Sequence, residues 1–139
     1  MAKKIPPKET CPFCGMGFLE KKTEQVDYAY KDAIVTLAQP GKYCTVCHEA
    51  VLDADDLKAT RQALAAFKAE QEMLLPPEEI RRIRKDLHLT QTEAAIICGG
   101  GKNAFSRYES GEVLIPRAAS NLLKVLSRDH SLLREILPL

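Results

Sequence analysis

Residues Gly99 to Gly111, which read GGGKNAFSRYESG, decide how the second half of this chain folds. A glycine-rich break precedes one short helical segment, in which Asn103 and Arg107 are four residues apart and therefore share a helix face. Asn and Arg are the side chains best shaped for bidentate reading of adenine and guanine in the major groove. Because another helical segment precedes the glycines, the pattern predicts a helix-turn-helix DNA-binding module.

The helical segment before the glycines begins with Leu-Thr-Gln. Thr90 is a good N-cap residue, and Glu93 three positions later completes a capping box. Gln91 lies at the exposed start of this helix, a position from which such modules often contact a backbone phosphate. Two polar residues around the second helix are further phosphate candidates. The predicted phosphate contacts are Thr90, Gln91, Lys102 and Ser106, and the predicted base contacts are Asn103 and Arg107.

Both base-contact candidates have an alternative role. Asn103 can cap the helix that it begins, and a cap is compatible with DNA contact at the same end. Arg107 can form a surface ion pair with Glu109 or Glu112. A nucleotide-binding loop is disfavoured, since no strand precedes the glycines and no Gly-Lys-Ser/Thr follows them.

Apolar residues at helical spacing predict further helices around this module. The residues expected to face the core are Ile80, Ile83 and Leu87; Ala94, Ala95, Ile96, Ile97 and Cys98; Phe105 and Tyr108; Ala119, Leu122, Leu123, Val125 and Leu126. A last short helix over residues 132–137 either closes this core or contributes to a dimer interface.

Four of the five cysteines form two pairs, Cys11-Pro-Phe-Cys14 and Cys44-Thr-Val-Cys47. Each short loop can bring two thiolates to about 2.3 Å from one ion, which suits tetrahedral zinc. Four thiolates leave no position for water, so the pattern favours one structural Zn²⁺ over a catalytic one. Thioredoxin-like redox pairs and disulfides are disfavoured by the missing βαβ pattern and the expected reducing compartment. An iron–sulfur cluster and a ligand role for His48 stay open.

The segment between the two cysteine pairs predicts a β-hairpin. Phe18 to Tyr30 alternates loosely between apolar and polar residues, and Ala33 to Leu37 is a second β-prone run after a turn at residues 30–32. We expect Pro40-Gly41 to break the chain before the second cysteine pair. Gly15 and Gly17 are expected to hold backbone N–H groups near the sulfurs. The result is a zinc ribbon whose metal supplies much of its stability.

Residues 53–75 have a strong helix composition, with Asp53 as N-cap. We expect Leu57, Leu64 and Phe67 to form the buried face of this helix. Pro76-Pro77 ends it and marks a domain boundary.

The predicted fold class is α+β with two domains. Residues 1–75 form a small zinc-ribbon-like β domain with a helix, and residues 76–139 form an all-α helix-turn-helix domain of about five helices.

Composition sets the broad class of protein. The net charge is +1, and residues 77–139 carry ten Lys and Arg against eight Asp and Glu, so charge alone does not establish DNA binding. No apolar run approaches the roughly 20 residues of a membrane span, and residues 1–7 lack the apolar core of a signal peptide. We expect a cytoplasmic protein. No Ser/His/Asp set is present, which argues against an enzyme.

The two cysteine pairs, the helical connector and the motif from Leu89 to Gly111 closely resemble the MqsA family of bacterial antitoxins. The resemblance extends from Cys11 to about Ile136. It implies a zinc domain that contacts an RNA-cleaving toxin, and a dimeric Xre/Cro-type domain that binds a palindromic operator in its own promoter. It also implies that the four paired cysteines ligate zinc, and that Asn103 and Arg107 read bases. Such a protein would be located with the bacterial nucleoid.

Two other functions stay open from the sequence. One is a stand-alone helix-turn-helix regulator whose zinc domain is structural or binds another protein. The other is a metal-responsive switch, which four thiolates disfavour because they would hold zinc too tightly for easy exchange.

Overall fold

In the computed structural model, which describes residues 7–136, the chain forms two compact units. Within the described residues, the first unit comprises residues 7–27 and 36–60, and the second comprises residues 28–35 and 61–136. The predicted boundary between residues 75 and 76 stays a prediction. No helix in the described part of the chain is long and apolar enough to cross a membrane.

The architecture is α+β, as predicted: a four-stranded antiparallel sheet comes first and the helices follow. Along residues 7–136 the elements are β1 (Glu9–Thr10), β2 (Phe18–Tyr30), β3 (Ala33–Cys44), β4 (Ala50–Val51), α1 (Ala54–Glu72), α2 (Pro77–Asp86), α3 (Gln91–Cys98), α4 (Ala104–Ser110), α5 (Arg117–Arg128), a 3-10 turn (His130–Leu132) and α6 (Leu133–Ile136). The predicted last helix is present as α6, but Leu137 lies outside the described residues.

The sheet has the strand order β1-β2-β3-β4. Its long hairpin, β2 and β3, turns at Lys31-Asp32, where Lys31 has a φ of 53°. The short outer strands lie at the end of the hairpin that carries the cysteines: Glu9 pairs with Leu19, and Tyr43 pairs with Ala50. The prediction of two strands joined by a turn is confirmed.

The predicted break at Pro40-Gly41 is wrong, because β3 continues through both residues to Cys44. Pairing with β4 keeps the strand extended immediately afterwards. Gly41 allows the side chain of Leu52 to lie against the strand, and a Cβ at this position would overlap it. The glycine therefore permits a close approach within a strand instead of ending it.

The N-terminus of α1 is capped reciprocally by two aspartates. The backbone N–H of Asp56 donates to Asp53 Oδ1 at 2.9 Å, and the N–H of Asp53 donates to Asp56 Oδ2 at 3.0 Å. These two bonds confirm Asp53 as N-cap and satisfy two backbone donors at the helix start. The helix ends at Glu72, three residues earlier than predicted, because Met73 adopts a left-handed φ of 59°.

The predicted buried face of α1 is only partly correct. Leu64 and Phe67 are half-buried, but Leu57 is 50% exposed. In the first unit the buried residues of this helix are Asp56, which belongs to its N-terminal cap, and Thr60, which bonds to Gln39 of β3. Polar pairing replaces apolar contact at this end of the helix, so hydrophobic periodicity alone does not identify the buried side.

An aliphatic core with two aromatic rings holds the second unit together. Its buried members are Ile80, Ile83, Leu87, Leu89, Ala94, Ala95, Ala104, Phe105, Tyr108, Ile115, Ala119, Leu123 and Leu126. Cys98 and Leu122 are half-buried against this core, as predicted. Ile96 and Val125 were expected to face inward, but they are 62% and 52% exposed. A short helix presents only one side to a core, and the neighbours of these two residues already occupy that side.

Candidate metal centre and nucleic-acid interface

Four cysteine sulfurs converge at one end of the sheet. Cys11 and Cys14 come from the turn between β1 and β2, Cys44 is the last residue of β3, and Cys47 comes from the turn that follows it. The Sγ atoms of Cys11 and Cys47 are 3.7 Å apart, those of Cys14 and Cys44 are 3.6 Å apart, and all four lie within 4.8 Å of one another. The predicted grouping of these residues is therefore present in the structure.

The spacing of the sulfurs fits one tetrahedral metal ion. Ligands about 2.3 Å from a central zinc stand about 3.8 Å apart in an ideal tetrahedron, close to the two shortest separations here. His48 has an exposed side chain and a φ of 63°, and it does not belong to the cluster. Four thiolates would complete the coordination, so this centre suits a structural ion.

Backbone N–H groups surround the sulfurs. Gly17 donates to Cys14 Sγ at 3.4 Å, and Val46 donates to Cys44 Sγ at 3.3 Å. The N–H of Gly17, followed by that of Met16, lowers the pKa of the Cys14 thiol to about 6. Such donors stabilise the thiolate form that binds metal.

The cluster favours a bound cation on electrostatic grounds. The N–H of Glu49 lowers the pKa of Cys47, but burial and the neighbouring sulfurs of the cluster outweigh it and raise this pKa to about 12. Four thiols this close together do not all ionise readily, because the negative charge of one thiolate disfavours deprotonation of its neighbours. A divalent cation removes that conflict, because it attracts all four negative charges.

Gly17 is required by the close packing of the two cysteine turns. A Cβ at this position would overlap Cys44 Sγ and would lie 3.0 Å from Val46 Cβ. The expectation that Gly15 and Gly17 hold backbone N–H groups near the sulfurs is confirmed for Gly17 by its bond to Cys14. The N–H of Gly15 donates instead to the carbonyl of Cys11 at 3.0 Å.

The second site is the exposed surface of α3, the glycine turn and α4. The capping box at the start of α3 is present: Glu93 N–H donates to Thr90 Oγ1 at 3.1 Å, and Thr90 N–H donates to Glu93 Oε1 at 3.0 Å. The three glycines have φ values of 81°, 106° and 85°, in the region that favours glycine. A sharp turn between two short helices follows from these angles.

Helix α4 has one buried side and one exposed side. Phe105 and Tyr108 are buried, with ring centroids 5.5 Å apart in an edge-to-face arrangement, as expected for core aromatics. The side chains predicted to touch DNA bases or phosphates along this segment all lie exposed to solvent. They are Lys102, Asn103, Ser106 and Arg107.

Asn103 immediately precedes α4, which begins at Ala104. Its carbonyl accepts the N–H of Arg107 at 3.2 Å, but its side chain makes no capping hydrogen bond. Among the residues that the structure describes, no ion pair includes Arg107. Glu109, one of its two expected partners, is instead buried and bonded to Arg84. The side chains of Asn103 and Arg107 are therefore positioned in solvent rather than used within the fold.

Sequence reasoning missed Glu109. Its spacing of four residues from Phe105 places it on the buried side of α4, and a carboxylate on a buried side requires a cationic partner. That signal was present in the sequence, but it did not identify Arg84 as the partner. The candidate phosphate contact Gln91 is also half-buried, and its Nε2 donates to Glu109 Oε2 at 3.1 Å.

The chain is similar to known proteins over nearly its whole length. The family described as the antitoxin component of the bacterial toxin–antitoxin system, MqsA, matches residues 9–137. Among curated proteins, the antitoxin MqsA of Escherichia coli (strain K12) is 36% identical over 128 residues, which cover 91% of this chain and 98% of that protein. The matched region includes the four clustered cysteines and both candidate base contacts.

Proposed function

We propose that this chain, which belongs to the MqsA family of antitoxins of bacterial toxin–antitoxin systems, neutralises an RNA-cleaving toxin and represses its own promoter. It would act in the bacterial cytoplasm, at the nucleoid, by binding and without catalysis. Residues 1–75 would form the zinc-binding and toxin-binding domain. Residues 76–139 would form the domain for DNA binding and dimerisation.

The observation that carries the DNA-binding proposal is the exposed pair of Asn103, immediately before α4, and Arg107, on α4, whose opposite side is buried. Arg107 would pair with guanine O6 and N7, and Asn103 would pair with adenine. Each contact would provide about 1–3 kcal/mol of discrimination. The flanking polar groups of Thr90, Gln91, Lys102 and Ser106 would contact phosphates and orient the helix in the groove.

Fluorescence anisotropy tests this proposal with a labelled duplex from the promoter upstream of the chain's own gene and a scrambled duplex of equal composition. The wild-type protein should prefer the promoter duplex, and Arg107→Ala should remove that preference while leaving weak, salt-sensitive binding. Arg128→Ala, an exposed arginine at the end of α5, controls for the loss of one positive charge. A variant Arg107→Ala that keeps full preference would contradict the assignment of α4 as recognition helix.

Binding to a palindrome requires a homodimer, with two recognition helices about 34 Å apart on one DNA face. Exposed apolar side chains on the last helical elements support a second copy as partner. Val125 is 52% exposed, and Leu132 and Ile136 are each 39% exposed. Light scattering after size exclusion should give twice the chain mass, and Val125→Glu should shift the protein toward the monomer.

The proposed ion is one structural Zn²⁺ held by Cys11, Cys14, Cys44 and Cys47. Its chemistry there would be that of a cross-link between the two cysteine turns. Metal analysis of the purified protein should give one zinc per chain and no iron. An iron–sulfur chromophore would instead support the alternative cluster.

The toxin proposal is tested by co-expression with the product of the adjacent gene. Growth rescue together with co-purification would establish the antitoxin role. A harmless neighbour that forms no complex would favour a stand-alone repressor with a structural zinc domain.

A further inference from the structure

A buried carboxylate lies on the inner side of the proposed recognition helix. The side chain of Glu109 is 6% exposed, and that of its partner Arg84 is 12% exposed. Arg84 Nη2 donates to Glu109 Oε1 at 2.8 Å, and Arg84 Nε donates to Glu109 Oε2 at 3.0 Å. The pair is bidentate and charge-assisted, and this is the strongest type of side-chain hydrogen bonding.

The same guanidinium also reaches the entry to α3. Arg84 Nη1 donates to the carbonyl of Leu89 at 2.8 Å, two residues before Gln91. Arg84 on α2 thus fixes both the backbone that leads into α3 and the carboxylate on α4. Three elements of the module meet at one ion pair.

Gln91 is the third member of this network. Its Nε2 donates to Glu109 Oε2 at 3.1 Å, and the residue is half-buried at the start of α3. An ionised carboxylate only accepts hydrogen bonds, so Glu109 must face the NH₂ group of Gln91 and not its carbonyl oxygen. One N–H points to Glu109, and the second N–H of the same group stays available to another acceptor.

We infer that Glu109 is a positioning residue of the DNA interface, which fixes the carboxamide of Gln91 so that its second N–H meets a DNA phosphate. The inference rests on the proposed DNA-binding function and adds a specific role for a residue that does not itself contact DNA. Arg84 neutralises the buried carboxylate, so its negative charge is not left uncompensated near the phosphates.

The test measures DNA affinity for Glu109→Gln by anisotropy, with the promoter duplex and its scrambled counterpart as probes. Removing a negative charge by itself favours DNA binding. We nevertheless expect binding to weaken about tenfold, the scale of one hydrogen bond to a charged group. The salt dependence should stay unchanged, because Gln91 is neutral and releases no counterions. Preference for the promoter duplex should persist, unlike in Arg107→Ala.

Glu79→Gln is the matched control, since Glu79 forms an exposed ion pair with Arg82 on α2. It removes the same charge from an Arg–Glu pair, and its DNA affinity should equal or slightly exceed that of the wild type. Affinities are compared at a temperature at which circular dichroism shows each variant to be folded.

A double-mutant cycle separates positioning from simple structural support. Gln91→Ala should weaken binding about tenfold in the wild-type background and should add almost nothing in the Glu109→Gln background. If Gln91→Ala has its full effect in both backgrounds, Glu109 does not act through Gln91 and the inference is overturned.

Glu109→Gln leaves Arg84 buried without its counter-ion and can therefore unfold the domain. The second variant, Arg84→Met with Glu109→Met, removes both charges and retains side-chain volume, a change that buried ion pairs often tolerate. It should keep a near-native Tm and still bind DNA about tenfold more weakly. Native affinity in this folded variant would overturn the inference.

Failure of the proposed function gives a different result. If the wild-type protein shows no preference between the two duplexes, sequence-specific repression is wrong and the positioning role falls with it. If the wild type shows the preference and both Glu109 variants bind as tightly as the wild type, only the positioning role is wrong.

Discussion

Thr60 of α1 donates its hydroxyl proton to Gln39 Oε1 of β3 at 2.8 Å, and both residues are buried. The amide nitrogen of Gln39 donates to the carbonyls of Pro40 and Asp56, each at 2.8 Å. A glutamine that is 1% exposed is thereby bonded to the strand and to the first turn of the helix. These buried hydrogen bonds join β3 to the start of α1 within the first unit.

We expect Thr60→Val to lower the free energy of unfolding by about 1–3 kcal/mol. Valine has nearly the same shape as threonine but no hydroxyl group, so the buried Gln39 Oε1 would lose the hydrogen bond that Thr60 donates. Urea denaturation followed by circular dichroism measures the change. Thr92→Val is the matched control, since Thr92 is an exposed threonine on α3. Equal stability of the two variants would contradict a contribution from the buried bond.

Gly111 ends α4 in a left-handed conformation, with a φ of 81°. A Cβ at this position would lie 3.1 Å from Ala65 Cβ and 3.1 Å from the carbonyl oxygen of Arg61. We expect Gly111→Ala to destabilise the protein through both backbone strain and overpacking, by roughly 2 kcal/mol in total. Gly101→Ala should cost only the strain, because Gly101 has a φ of 85° but open space around it.

Thermal denaturation of both alanine variants compares these two effects. A Tm for Gly111→Ala no lower than that for Gly101→Ala would show that the packing around Gly111 is able to relax.

Two features of the structure, the capping box of α3 and the cysteine cluster, were predicted correctly from the sequence. The capping box of Thr90 and Glu93 depends on residues three positions apart, so it is encoded within a single turn of helix. The four-cysteine cluster joins distant segments, but metal coordination restricts the pairing so strongly that the spacing alone identifies it. Both features depend on few interactions, and each has one dominant physical cause.

Features that depend on contacts across the fold were not predicted. The sequence predicted a chain break at Gly41, whereas the close approach of Leu52 explains why a glycine is needed inside β3. Glu109 was expected to lie on the surface, because its partner Arg84 is 25 residues away in the sequence. Composition and periodicity do not specify which distant side chain fills such a position.

Glu72 at the end of α1 provides a pH-dependent contact. Lys31 Nζ lies 2.5 Å from its Oε1, and the hydroxyl of Tyr30 donates to the same oxygen at 2.7 Å. The Lys31 ammonium and then the Tyr30 hydroxyl lower the pKa of the Glu72 carboxyl below its usual value of 4.5. A carboxyl with a lowered pKa in the folded state stabilises that state above pH 4.5, and this effect disappears as the pH falls through the lowered value.

We therefore expect Glu72→Gln to lower the Tm at pH 7 and to have no effect once the pH is low enough to protonate the wild-type carboxyl. A series of melting curves between pH 7 and pH 3 measures the difference between the two proteins. Glu70→Gln, at an exposed position of the same helix, should show no such convergence. A constant Tm difference at every pH would mean that the carboxamide disturbs packing instead of removing a charge.

Metal removal should unfold the first unit and spare the second. Among the described residues of the first unit, the buried apolar side chains are Cys11, Tyr43 and Cys44, so the proposed metal centre forms most of its core. The second unit has an aliphatic core without any of the four clustered cysteines. Because so small an apolar core cannot offset the conformational entropy of the chain, the sheet should depend on the ion.

Hydrogen exchange after chelation under reducing conditions tests this dependence in the full chain. Peptides from residues 36–51 should lose protection, and peptides from α2 and α5 should retain it. Cys44→Ser should give the same pattern without a chelator, whereas Cys98→Ser should not, because Cys98 lies outside the cluster. Retained protection of β3 in protein confirmed to be free of metal would show that the hairpin is stabilised by its own packing and that the four sulfurs are not its main support.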